Sequence, residues 1–278
     1  VEPEKILLLN AVASAAGDLN IPWLLTGAGG RILLLEKLHG LPPGRATEDL
    51  DFGVMVRSWN EYNALKRHIC ESGQFHEDTK QSQRLWYKDA AKLDLVPFGA
   101  IASPDESVQW PKEDGAVMNV LGFQEACDTA ISIRVNSRLK VPVATAQAML
   151  LLKLIAWEDR HARLPGKDAS DIAYLLYNGE KIIGADAFYE EYSQATEAVG
   201  WDLELAAARI FGLQMATITL GRTKEYLLVL LERELARGEE SMLVGEVAAS
   251  LPTRTGDSEQ ALAFLRQVQA GLVGKAAP

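Results

Sequence analysis

The segment Thr47-Glu48-Asp49-Leu50-Asp51-Phe52-Gly53-Val54-Met55-Val56 constrains this chain more than any other. Leu50, Phe52, Val54 and Val56 recur with period two, which predicts a strand with one face in the core. Asp49 and Asp51 then share the opposite face, roughly 6.5–7 Å apart at their Cα atoms. Like charges at that range are costly without a cation. An isolated Asp-x-Asp is most often an edge strand with a solvated polar face. Here a third acid follows in Lys92-Leu93-Asp94-Leu95-Val96-Pro97-Phe98-Gly99, again between apolar neighbours. If the two strands pair, Asp94 completes a cluster of three carboxylates. Hard oxygen donors suit Mg²⁺ or Mn²⁺, and two such ions about 3.5–4 Å apart would balance the charge and bring phosphates with them.

A second feature lies upstream. Trp23-Leu24-Leu25 reads as a short strand, Gly27-Ala28-Gly29-Gly30 as a turn, and Ile32-Leu33-Leu34-Leu35 as the start of a helix. Small residues in such a turn let backbone N–H groups approach a phosphate, and Arg31 adds a charged donor. The same pattern also serves as a plain strand-to-helix turn. Gly27-x-Gly29 matches the first part of a dinucleotide-binding fingerprint, and acids lie about twenty residues on. However, the third glycine position holds Ile32, and a ribose needs one acid rather than three. No Gly-Lys-Ser/Thr follows, so a P-loop is excluded.

Strand signals continue at 84–88, 92–97, 116–120, 131–135 and 139–143, with helices over 4–19 and 58–72. Near Thr145 the texture changes. Helical patterns then cover 146–163, 168–178, 186–198, 202–213, 222–238 and 257–273, which predicts a mixed first domain and an all-helical second one. Lys and Arg number 28 against 38 Asp and Glu, a net charge of −10. That balance excludes a general nucleic-acid coat but allows a local basic patch. Residues 153–167 form one such island, with Lys153, Arg160, Arg163 and Lys167 against Glu158 and Asp159. Lys153, Trp157 and Arg160 share a helical face, so Lys153 is either a snorkelling core lysine or a phosphate clamp reaching a β- or γ-phosphate. Asp168 would cap the next helix. Two cysteines and four histidines at non-ligating spacings predict neither a disulfide framework nor a zinc site. The apolar run at 148–157 is too short to span a bilayer, and no signal peptide is seen, which predicts a soluble cytoplasmic protein.

The order of glycine turn, Asp-x-Asp strand and later lone Asp resembles the DNA polymerase β-like nucleotidyltransferase superfamily. More closely, TGAGGR…GRATEDLDFGV…KLDLVPFG…KLIAWEDRHARLPGKDASDI resembles the predicted nucleotidyltransferases related to the AbiEii/AbiGii toxin family, over roughly residues 20–178. The resemblance implies an α/β (α+β) fold: a nucleotidyltransferase domain with a mixed sheet over 1–144, followed by a helical domain over 145–278, the nucleotide lying between them. It implies a magnesium-dependent, two-metal transferase that moves an NMP from an NTP to an acceptor hydroxyl. The acceptor would be an RNA or tRNA end, a protein or a small molecule, and a toxin-type enzyme would have an antitoxin partner. By the same resemblance, Gly27 and Ala28 stand for the phosphate-binding Gly-Ser pair, with Gly29 and Arg31 beside them. Asp49 and Asp51 match the metal-binding pair and Asp94 the third carboxylate. Lys153, Lys167 and Asp168 match family positions in the helical half, with Arg160 on the same face. Ala28 replaces the usual Ser, and the spacing to Asp49 is longer than usual. A catalytically silent nucleotide-binding regulator and a dinucleotide-binding oxidoreductase are the alternatives.

Overall fold

A computed structural model describes residues 2–44, 49–111, 116–252 and 257–274. Thr47 and Glu48, expected to begin the acidic strand, lie outside them. The chain divides into two compact units, Val1–Leu38 with Ala46–Thr145 and His39–Arg45 with Ala146–Pro278.

The first unit is an α/β structure built on a mixed sheet. Its elements in chain order are α1 (Pro3–Asp18), β1 (Trp23–Thr26), α2 (Gly27–Arg31) continuing as a π-helix (Ile32–Leu38), β2 (Asp49–Met55), α3 (Trp59–Cys70), β3 (Phe75–Glu77), β4 (Arg84–Tyr87), β5 (Ala91–Phe98), β6 (Ser107–Gln109), β7 (Val117–Asn119), α4 (Phe123–Asp128), β8 (Ile131–Arg134) and β9 (Lys140–Val143). Seven strands form one sheet in the order β3-β4-β5-β2-β1-β9-β8, and β6 and β7 form a separate ribbon. The pairs β2–β5 and β1–β9 are parallel; β1–β2, β4–β5, β3–β4 and β8–β9 are antiparallel.

The core follows the period-two pattern. Leu50, Phe52 and Val54 of β2 and Leu93 and Leu95 of β5 are buried. In register they oppose one another, so one face of the β2–β5 pair is an apolar block. Ser58 caps α3 by accepting from the Glu61 N–H. Tyr62 on that helix is buried and donates to the Leu95 carbonyl at 3.0 Å, tying helix to sheet.

Three departures from the sequence expectations have physical causes. The glycine segment is not a turn that precedes a helix. It forms the helix's first turn, with Gly27 at φ +57, a conformation that favours glycine. The single helix expected over 186–198 is two short ones, α8 (Ala185–Glu190) and α9 (Ser193–Glu197), preceded by α7 (Gly179–Ile183). The break lets Phe188 and Ala195 both pack against Ala206, Ala207 and Ile210, and the Thr196 hydroxyl closes it on the Phe188 carbonyl at 3.0 Å. β3 and β6, three residues each, are too short for the periodic pattern to reveal.

The second unit is helical. Besides α7–α9 it contains α5 (Ala146–Arg160), α6 (Lys167–Tyr177), α10 (Leu203–Ile218), α11 (Gly221–Ala236), a 3-10 turn (Gly238–Glu240), α12 (Met242–Ser250) and α13 (Ser258–Val273). The segment 39–44 belongs with it, and the Tyr174 hydroxyl donates to the Pro42 carbonyl at 2.7 Å. No helix among the described residues is long and apolar enough to cross a membrane.

Helices α10 and α13 meet backbone to backbone. A Cβ on Gly212 would lie 2.2 Å from the Val268 carbonyl oxygen, and one on Gly271 2.1 Å from that of Arg209. A backbone obstacle cannot rotate away as a side chain does, so the helices would have to separate. Gly271→Ala should therefore lower stability by about 1–3 kcal/mol despite alanine's better helix propensity. Gly245→Ala in α12 has nothing within 4 Å of the added methyl and should leave stability unchanged or higher. Thermal unfolding of the two variants checks the contrast.

Candidate active site

The pairing of β2 with β5 brings the acidic residues together. Asp51 sits directly opposite Asp94, and Asp49 opposite Lys92. Asp49, Asp51 and Asp94 each offer a carboxylate oxygen within 4.8 Å of the others. The row continues on both sides, because Thr26 of β1 opposes Asp51 and Arg84 of β4 opposes Asp94. Beyond Asp51 the same face becomes apolar. Gly53 is covered by Leu24, Phe123 and Phe98, any of which a Cβ would crowd to between 2.5 and 3.2 Å. The acidic end of β2 is thus backed by a packed wall.

Gly27 closes the other side. A Cβ there would fall 2.1 Å from Asp51 Oδ2, so the helix start is glycine both for its backbone conformation and for its contact with the carboxylate. Gly29 has a different role: its missing side chain makes room for Leu50 and Leu25. Ala28 is buried.

The cation in the cluster was not anticipated. Arg84 donates from Nε to Asp94 Oδ1 and from Nη2 to Asp94 Oδ2, both at 2.8 Å, and Nη2 is 3.8 Å from Asp49 Oδ2. The hydrogen bonds to Asp94, followed by the Asp94 and Asp49 charges, raise the Arg84 pKa against the pull of burial. No sequence signal marks it, because the turn at Lys88 and Asp89 holds no glycine. The β4–β5 hairpin pairs Tyr87 with Ala91, and counting back from that turn sets Arg84 against Asp94. Beside it, Lys92 lies over the Trp86 ring with Nζ 5.4 Å from the centroid, and Trp86 Nε1 donates to Asp78 at 2.7 Å.

The family model described as "Nucleotidyl transferase AbiEii toxin, Type IV TA system" matches residues 15–218. The chain belongs to the AbiEii family. Nucleotidyl transfer is the chemistry this membership supports, within a toxin–antitoxin family. No curated protein matches the sequence significantly. Two solved structures are similar. One is a solution structure of the antibiotic-resistance factor ANT(2'')-Ia, 14% identical, covering 72% of this chain and 99% of that one, with a TM-score of 0.38. The other is a crystal structure of ANT(2'')-Ia in complex with adenylyl-2''-tobramycin, 15% identical, covering 75% and 97%, with a TM-score of 0.39.

The remaining residues picked out in this AbiEii chain are engaged differently from expectation. Arg31 is 3% exposed and ion-paired with Glu36, so its guanidinium is turned into the fold rather than offered to a phosphate. In the helical unit, Lys153 does not carry a free ammonium. Its Nζ is 3.1 Å from Asp168 Oδ1 and 2.6 Å from Asp171 Oδ2. Arg160 holds both oxygens of Asp168, at 2.6 and 2.7 Å. Burial pulls the Lys153 pKa down, but the two carboxylates outweigh it and leave it raised. Burial pushes the Asp168 carboxyl up, yet the Arg160 hydrogen bonds and the Lys153 and Arg160 charges hold it at about 2. Asp168 is therefore a buried ion-pair partner. The cap of α6 is Gly166, in the left-handed conformation, whose N–H reaches Glu246 at 3.1 Å. Lys167 opens α6 and is half-buried.

This network makes two predictions. Lys153→Met would leave Asp171 and Asp168 short of a buried cation and should cost about 3 kcal/mol, the low end for such a deletion because Arg160 still holds Asp168. Chemical denaturation measures it, and an unchanged midpoint would contradict the ion-pair role. The Asp168 pKa is depressed, so its contribution is present above the unfolded carboxyl range and lost as pH falls toward about 2. The stability gap between wild type and Asp168→Asn should accordingly narrow by about 2 kcal/mol between pH 5 and pH 2. A constant gap would refute it.

Proposed function

We propose that this chain is a magnesium- or manganese-dependent nucleotidyltransferase that moves an NMP from an NTP to an acceptor hydroxyl, acting in the cytoplasm as a toxin-type enzyme with an antitoxin partner. The observation that carries the reading is the convergence of Asp49, Asp51 and Asp94, with oxygens within 4.8 Å of one another, against the open backbone of Gly27. The donor set fits the cation: three carboxylates, with no nitrogen or sulfur ligand in the cluster among the described residues, is the chemistry of a hard ion. Asp49 and Asp51 would hold it, and Asp94 would join a second ion. When bound, such ions neutralise a triphosphate and favour in-line displacement at the α-phosphorus.

The chain's own residues account for the rest. The backbone at Gly27 and Ala28 receives phosphate oxygens beside Asp51. Asp94 takes the proton of the acceptor hydroxyl at a carboxylate oxygen. That oxygen of the acceptor then bonds to the α-phosphorus, and pyrophosphate leaves with the electron pair of the broken bond. In this division residues 1–144 are the catalytic domain. The helical domain over 145–278 contributes Lys153, Arg160 and Asp168 as structural supports of its own core, not as a phosphate clamp. An RNA or tRNA end, a protein and a small molecule are the acceptor classes with a suitable hydroxyl. Ala28 in place of Ser favours one competing reading, a nucleotide-binding regulator without catalysis.

Incubation with each α-labelled NTP and candidate acceptors tests both. Transferase activity predicts label on an acceptor, equimolar pyrophosphate release and full inhibition by excess chelator. Asp51→Asn should reduce both to background with the melting temperature unchanged or raised, since a like charge is removed from a crowded cluster. Nucleotide binding without pyrophosphate release would instead establish the regulator. Undiminished transfer by Asp51→Asn, or in chelator, would refute the metal-dependent mechanism.

A further inference from the structure

Arg84 occupies the carboxylate cluster in the way a cation would. Both Asp94 oxygens accept from its fork at 2.8 Å, and Asp49 Oδ2 lies 3.8 Å from Nη2. The side chains are largely shielded, Arg84 at 16% exposure and Asp94 at 13%, so solvent does little to screen the charges. The pair is also held in register by strand pairing, since Arg84 and Asp94 are direct cross-strand partners. A divalent ion drawing on Asp94 must share oxygens that the guanidinium already holds, and it meets a fixed positive charge a few ångströms away. Two cations on one set of carboxylates repel.

A triphosphate changes that balance. The guanidinium fork matches phosphate as well as it matches carboxylate, so a bidentate phosphate contact can substitute for the one to Asp94. Resting on the metal-dependent reading of the cluster, we propose that Arg84 is a resident counter-cation that makes metal loading depend on nucleotide: it resists a bare divalent ion at Asp94 and, when metal and nucleotide arrive together, passes its fork from Asp94 to the phosphates. Arg84 is then a specificity device against metal without nucleotide as well as a phosphate ligand in the loaded site. No covalent bond is made or broken in the exchange.

Binding of bare Mn²⁺, and of non-hydrolysable α,β-methylene NTPs at saturating Mn²⁺, measured by calorimetry on folded wild type, Arg84→Gln, Arg84→Lys and Asp51→Asn, tests the exchange without using activity. Arg84→Gln should bind bare Mn²⁺ about tenfold tighter and the nucleotide analogue about tenfold weaker. Arg84→Lys keeps a charge but loses the fork. It should bind bare Mn²⁺ as weakly as wild type yet still lose about tenfold in nucleotide affinity, and this arm decides if the Gln variant does not fold. Mn²⁺ binding that requires Asp51 but is the same or weaker in Arg84→Gln overturns the role of Arg84 while leaving the metal site standing. Mn²⁺ binding that does not require Asp51 in any variant overturns the metal reading and the proposal with it.

Discussion

Parallel pairing of β2 with β5 sets Asp51 against Asp94 and fixes Asp49 on the same face. The apolar block of Leu50, Phe52, Val54, Leu93 and Leu95 behind them is buried and offsets the cost of bringing the acids together. Shifting the register by one residue would turn the acids into that block, so the position of the charge and the packing of the core are set by the same interaction. The surroundings conform to it. Gly27 has no side chain because Asp51 occupies the space, and Gly53 has none because Leu24, Phe98 and Phe123 do.

Charge is handled differently in the two units. In the sheet unit three carboxylates converge, with Arg84 holding Asp94, and with Lys92 opposite Asp49 in the strand register. In the helical unit Lys153 and Arg160 meet Asp168 and Asp171, two positive and two negative groups, and the sum is zero. The first is the proposed site and the second a balanced structural network. Glu246 extends that network, accepting from Trp157 Nε1 at 2.9 Å and from the Gly166 N–H, and so joins α5, α6 and α12.

Much of this was legible in the sequence, and the exceptions share a cause. Strands of alternating burial could be read residue by residue, and the nearness of Asp94 to Asp51 followed once those strands were allowed to pair. Partners set by turns and neighbouring helices could not. The hairpin that presents Arg84 to Asp94 turns at Lys88 and Asp89, both at positive φ, without the glycine that marks such turns. The basic island at 153–167 stops one residue short of Asp168, so counting charge along the chain gave a surplus that the fold removes. Arg31 reaches Glu36, five residues on, where the helix has widened to π geometry, a spacing that α-helical periodicity does not pair.

On the proposed function, Asp49, Asp51 and Asp94 form a site for divalent metal and nucleotide. Crystals of the chain grown with Mn²⁺ and a non-hydrolysable NTP, measured for manganese anomalous scattering, test it most directly. An anomalous peak coordinated by Asp49 and Asp51 is expected, with the triphosphate running past the Gly27 backbone. Manganese and nucleotide bound elsewhere, with the three carboxylates still held only by protein groups, would contradict it.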